Sequence, residues 1–207
     1  MLHRNLTRGL LEALSDTPVV LVNGARQTGK STLVQSAEVG EPARQYLTFD
    51  DPSTLAAAKG DPAGFIAGLS TPVTLDEVQH VPELFPAVKM SVDRKREPGR
   101  FLLTGSADVL LLPRLSESLA GRMEVLTLWP FSQGEMKGVR DTFVDTLFAK
   151  QSVARPGKAP ILSRTQLFET VLTGGYPPVC LASTILSPQR QSKFPTDIAN
   201  SFSPFHA

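Results

Sequence analysis

Apolar positions along the chain change period several times, and the changes divide it into short alternating elements. Leu6, Leu10, Leu11 and Leu14 fall at helical spacing and Asp16-Thr17-Pro18 breaks the stripe, which predicts an amphipathic helix over residues 3–14. Val19-Val20-Leu21-Val22 is apolar throughout and rich in β-branched residues, the composition of a strand buried on both faces. A glycine-containing loop follows, and a helix is expected from Ser31 onward. The alternation then repeats. Tyr46 to Phe49 reads as a strand ending at Asp50-Asp51-Pro52, residues 53–68 as helical, and Val73 to Leu75 as a strand ending at Asp76-Glu77. Leu84, Phe85, Val88 and Val92 mark a helix over 83–96, and Phe101 to Thr104 and Val125 to Leu128 give two more strands. Strands separated by helices over about 130 residues predict an α/β fold with a parallel five-stranded sheet and helices on both faces.

After Pro130 the pattern loosens. A helix is expected over 141–150, a basic Pro/Gly-containing linker from Ala154 to Pro160, and a further helix from Gln166 to Leu172, stopped by Gly174-Gly175 and Pro177-Pro178. From Ser183 onward no period is sustained, and serine and proline are frequent. The expected division is a core over 1–135, a linker and the start of a helical domain over 136–180, and a disordered tail over 181–207.

Composition narrows the class. Apolar residues make up 41% and charged residues 20%, as in ordinary soluble domains, and a net charge of +1 provides no global field for nucleic acid or an anionic membrane. Cys180 is the one cysteine, which excludes an intrachain disulfide and a cysteine-based zinc site. His3, His80 and His206 show no metal-ligand spacing. Arg8 and Glu12 interrupt the first apolar stripe, so it is neither a signal peptide nor a membrane span. A cytoplasmic, soluble protein is expected.

The chemistry begins in the loop after the first strand. Gly24-Ala25-Arg26-Gln27-Thr28-Gly29-Lys30-Ser31 fits G-x-x-x-x-G-K-[ST] at every specified position. Glycines let the backbone curl so that successive N–H groups face phosphate oxygens, and the helix that follows adds the positive end of its dipole. Lys30 is placed to reach the β- and γ-phosphates of ATP and the Ser31 hydroxyl to bind Mg²⁺. The strand before the loop and the helix after it argue against a chance glycine-rich turn.

Asp76 and Glu77 end an apolar strand, where ligands of open α/β sheets sit. Asp76 is a candidate for the Mg²⁺ shell and Glu77 for orienting or deprotonating a water. Thr104 and Ser106 end the fourth strand, either as γ-phosphate sensors or as an ordinary hydroxyl turn or helix cap. Arg122 is a candidate arginine finger or a surface ion-pair partner. Asp50 and Asp51 face the same end of the sheet or simply cap an Asp-Pro turn. Lys89, Arg94, Lys95, Arg96 and Arg100 form a basic cluster, read either as the solvated end of a helix or as a nucleic-acid contact.

Taken in order, the loop through Thr32, Leu75-Asp76-Glu77-Val78-Gln79, Leu103-Thr104-Gly105-Ser106, Leu119-Ala120-Gly121-Arg122 and Leu128-Trp129-Pro130-Phe131 resemble a prokaryotic AAA-type ATPase family. Its members carry a G-x-R-Q-x-G-K-T-T loop and a D-E-x-Q motif, usually followed by a C-terminal domain of unknown function. The resemblance covers about residues 3–180. It implies a sheet in which an additional strand separates the phosphate-loop strand from the acidic one. It also implies Lys30, Ser31 and Thr32 on the phosphates and Mg²⁺, Asp76 on the metal, Glu77 as catalytic carboxylate and Thr104 or Ser106 as sensor. Arg122 matches a Gly-Arg that acts in trans, which implies a homo-oligomer. The implied activity is Mg²⁺-dependent ATP hydrolysis driving a switch or motor for an attached domain. Residues 181–207 depart from the family pattern, which gives the expectation of a truncated second domain. The alternatives are a nucleotide-holding module with little turnover and a phosphotransferase. Glu77 beside Asp76 argues against the latter, because a kinase acceptor supplies its own nucleophile.

Overall fold

A computed structural model describes residues 2–36, 39, 44–106, 119–139, 147–148 and 163–180. The tail over 181–207, the linker over 154–160 and most of the helix expected over 141–150 lie outside the described residues.

The sheet has five strands: β1 (Val19–Gly24), β2 (Gln45–Thr48), β3 (Val73–Asp76), β4 (Phe101–Ser106) and β5 (Met123–Thr127). All pairings are parallel and the order is β2-β3-β4-β1-β5, so β4 lies between the loop-bearing β1 and the acidic β3. The expected α/β fold with an additional strand is therefore present.

Period-2 alternation on β1 feeds two cores. Val19 and Leu21 point into one with Phe101 and Leu103, covered by α3 (Pro52–Gly60), α4 (Pro62–Ala67) and α5 (Leu84–Arg94). Val20 and Val22 point into the other with Leu102, covered by α1 (Leu6–Asp16) and α2 (Lys30–Val34). Every β1 residue is buried, which is why the strand reads as a continuous apolar run rather than an alternating one.

The helix expected over 53–68 is two helices. Pro62 has no N–H to continue α3, and the Asp61 side chain accepts the Gly64 N–H at 2.9 Å to start α4. Asp51 does the same for α3, accepting the Thr54 N–H at 2.8 Å, so the Asp-Pro turn is a cap. Two helices after the sheet have their bounds among the described residues. In α6 (Gln133–Lys137), which the sequence pattern did not predict, Ser132 and Glu135 form a reciprocal capping box. Ser163 and Gln166 form another at the start of α7 (Arg164–Thr173), whose Leu167, Phe168, Val171 and Leu172 are exposed.

The basic cluster is largely occupied within the chain. Arg96 donates to the Gly121 carbonyl, Arg100 to the Ser91 and Lys95 carbonyls, and Lys95 pairs with Glu97. These contacts favour the helix-end reading.

Candidate active site

Parallel pairing puts the C-terminal ends of β1, β3 and β4 at one edge of the sheet, with Val22 level with Thr104 and Gly24 with Ser106. At that edge the loop turns sharply. A Cβ on Gly24 would lie 2.4 Å from the Leu128 carbonyl oxygen, so only glycine lets the loop backbone pass. Gly29 has φ 92° and sits just before α2. The buried Thr28 hydroxyl donates to the Ala25 carbonyl at 3.0 Å and closes the curl. Lys30 is buried, with its ammonium donating to the Gly24 and Ala25 carbonyls at 3.1 and 3.0 Å. The loop thus gathers a cation at its centre, while Arg26, Gln27 and Thr32 are exposed and Ser31 is half-buried.

The acids arrive from β3. Asp76 is buried, and its carboxylate accepts from the Thr104 hydroxyl on β4 and from the Tyr46 hydroxyl on β2 at 2.6 Å. The polar side chains of Ser31 and Gln35 lie close enough to the same phenol to oppose the rise in its pKa, so Tyr46 stands between the loop serine and the strand-end carboxylate. Burial, then the adjacent Asp76, push the Tyr46 hydroxyl up to about 12, which keeps it a hydrogen-bond donor. Glu77 has left-handed backbone, φ 60°, uncommon for a residue with a Cβ. Its N–H donates to the Thr104 hydroxyl oxygen at 3.1 Å, and its carboxylate accepts from the Gln79 amide. Gln79 in turn accepts the Ser106 N–H at 3.2 Å. Thr104 therefore ties both acids to β4, and Ser106 meets the acidic motif through its backbone.

Lys30, Ser31, Asp76, Glu77, Thr104 and Ser106 thus share one edge. Arg122 does not. It precedes Met123, which is level with Val19, and so lies at the opposite edge from the loop of its own chain. There its guanidinium pairs with Asp93 at 2.6 and 3.1 Å and holds that carboxyl below the usual range. Asp50 is exposed, 3.5 Å from His80.

Sequence reasoning gave no role to Tyr46 or Gln79. Tyr46 reads as strand filling, and its neighbours come from a sheet order that spacing alone does not supply. Gln79 stands within the D-E-x-Q motif, which was its available signal. A cavity of about 300 Å³ opens beside the loop, lined by Leu2, His3, Arg4, Thr7, Leu33, Phe131 and Pro177 as well as Gly29. No sequence signal marked it, because its walls come from both ends of the described chain.

Sheet order, loop and acidic strand end define a P-loop protein of the nucleotide-binding ATPase class. Residues 16–137 match the family described as AAA domain. The chain belongs to that family. It is 44% identical over 127 residues to uncharacterized proteins of Mycobacterium tuberculosis and Mycobacterium bovis. That stretch is 61% of this chain and spans 28% of those relatives' length. Among solved structures, AMPPCP-bound DnaA from Aquifex aeolicus has a similar fold, with TM-score 0.53 and 12% identity over 94% of this chain and 63% of that one. A Walker-type ATPase of Pyrococcus abyssi aligns over 66% of this chain and 56% of its own, with TM-score 0.48 and 20% identity. No helix among the described residues is long and apolar enough to cross a membrane.

Proposed function

We propose that this chain binds ATP with Mg²⁺ and hydrolyses it, and that hydrolysis works a switch in whatever is joined beyond the core. The observation that carries the reading is the convergence at one sheet edge of Lys30, Ser31, Asp76 and Glu77, held by Tyr46 and Thr104. Lys30 exchanges its two loop carbonyls for phosphate oxygens, and the loop N–H groups take the rest of the anionic charge. The cavity beside Gly29 offers largely apolar walls for the base.

Ser31 and Asp76 fit a magnesium ion, because they supply hard oxygen donors on either side of Tyr46, whose hydroxyl donates to Asp76. Such a site needs one or two protein oxygens, with phosphates and water completing it. When bound, the ion supplies positive charge against the phosphate oxygens. Glu77 accepts a proton from water as the water oxygen attacks the γ-phosphorus, and ADP leaves with the bridging oxygen. Gln79 holds the carboxylate that does this, and Thr104 holds the Glu77 backbone N–H.

The position of Arg122 favours a second reading for the isolated chain, a nucleotide-holding module that turns over slowly until another copy supplies an arginine.

Phosphate release from the purified chain is the test. Lys30→Ala is expected to lose ATP binding. Glu77→Gln is expected to keep ATP binding while hydrolysis falls roughly tenfold to a hundredfold. Undiminished binding after Lys30→Ala would remove the phosphate loop from the reading.

A further inference from the structure

The N-terminal arm brings a charged side chain against the loop from outside. Arg4 is 7% exposed, and each of its three guanidinium nitrogens donates to an acceptor. One terminal nitrogen donates to the Thr28 carbonyl at 2.8 Å, the other to the Trp129 carbonyl at 2.6 Å, and Nε to Glu135 Oε1 at 3.2 Å. The Phe131 ring lies 4.5 Å from the guanidinium carbon. Glu135, 8% exposed, also accepts the Asn5 N–H at 2.6 Å and the Ser132 N–H at 2.9 Å.

A buried arginine cannot shed its charge, so burial is tolerated only where each donor is met. Packing alone would favour an apolar residue here. The geometry assigns Arg4 a second role, that of a positioning residue for the phosphate loop, and this rests on the nucleotide reading above. In a trans peptide C=O and N–H point in opposite directions. By holding the Thr28 carbonyl outward, Arg4 turns the Gly29 N–H toward the concave side of the loop, where a phosphate is to sit. Gly29 has φ 92° and no side chain to fix this plane itself. A charged donor on the carbonyl also polarises the peptide and strengthens the N–H as a donor. The other ends of the guanidinium anchor this peptide to the segment after β5 and to α6, so the loop is braced against rigid structure rather than solvent.

The test measures ATP–Mg²⁺ affinity by calorimetry and melting temperature on the full chain. Arg4→Met is expected to weaken ATP binding about tenfold or more, the worth of a charge-assisted hydrogen bond. Ile66→Ala, in the opposite helical layer, serves as a variant destabilised without touching the loop and is expected to keep wild-type affinity. Arg4→Lys retains a cation for Glu135 and hence the fold, but one ammonium cannot serve both carbonyls. It is expected to recover most of the melting temperature while ATP binding stays at least about threefold weak. Affinity that simply follows melting temperature across all three variants, or wild-type affinity in Arg4→Lys, overturns the assignment. Lys30→Ala separates the Arg4 role from nucleotide binding by the loop itself. If it binds ATP normally, the nucleotide reading fails and the Arg4 role with it. If it loses ATP while both Arg4 variants bind normally, only the Arg4 role fails.

Discussion

The Thr104 hydroxyl donates to the Asp76 carboxylate across the boundary between β4 and β3, and its oxygen accepts the N–H of Glu77 at 3.1 Å. One side chain thus sets the position of both strand-end acids together, the one proposed to face the metal and the one proposed to face the water. Both Thr104 and Asp76 are buried, so no solvent replaces the hydroxyl once it is gone. Thr104→Val, nearly the same shape, leaves a carboxylate oxygen and an N–H without this partner, and should cost about 1–3 kcal/mol of stability. Phosphate release should fall roughly tenfold to a hundredfold, with ATP affinity little changed. Thr104→Ser should restore most of both, measured by calorimetry, chemical denaturation and steady-state turnover. Normal turnover in Thr104→Val would leave the hydroxyl a purely structural link.

Gln79 stands one step from the proposed chemistry. Its amide holds the Glu77 carboxylate, its carbonyl takes the Ser106 N–H, and Glu77 itself sits in left-handed backbone. Strained backbone of this kind persists when its surroundings fix it. Gln79→Leu frees the carboxylate to rotate and should lower kcat roughly tenfold while KM stays within about threefold. Equal loss in kcat and ATP affinity would point instead to collapse of the strand end.

Tyr46 provides a pH signature. Its hydroxyl is raised from 10.0 to about 12 by burial and by Asp76. An acid whose folded value lies above its unfolded one favours folding fully below the unfolded value, and that contribution disappears as pH rises through the folded one. The stabilising effect should be intact at neutral pH and vanish between about 10 and about 12. Absorbance titration of the phenolates should show a component near 12 that Tyr46→Phe removes. Tyr46→Phe should also raise the Mg²⁺ concentration needed for half-maximal turnover, since the phenol orients the Asp76 carboxylate. A variant with unchanged Mg²⁺ dependence would confine Tyr46 to packing.

What the sequence made legible follows the reach of each physical signal. The five strands and the loop are local, written in apolar runs and in glycine and lysine spacing, and they appear where the pattern puts them. Splitting of the 53–68 helix was also local, since Asp61-Pro62 is an N-cap with proline at the first helical position. The convergence of Tyr46 with Asp76, or of Arg4 with Glu135, was not legible, because each pair is joined only once the sheet order and the chain ends are set. Helix α6 escaped for a different reason. It has five residues, too few for a period, and is held by its capping box and by the buried Arg4–Glu135 pair rather than by an apolar stripe.

Arg122 offers the sharpest test of assembly. Its pair with Asp93 is half-exposed and lies at the sheet edge away from the loop of the same chain, so it can stabilise a transition state only in another copy. Exposed pairs of this kind add little to stability, and Arg122→Ala should melt close to the parent chain. If the finger acts in trans, turnover per chain rises with protein concentration, and Arg122→Ala abolishes that rise without weakening ATP binding. Mixing makes the inference stricter. Glu77→Gln carries an intact Arg122 but no working carboxylate, and Arg122→Ala carries the reverse. Each alone should be slow, while an equimolar mixture should recover activity, because an Arg122→Ala site can then borrow arginine from its neighbour. Turnover independent of concentration, with no recovery on mixing, would place Arg122 in its Asp93 ion pair and nowhere else.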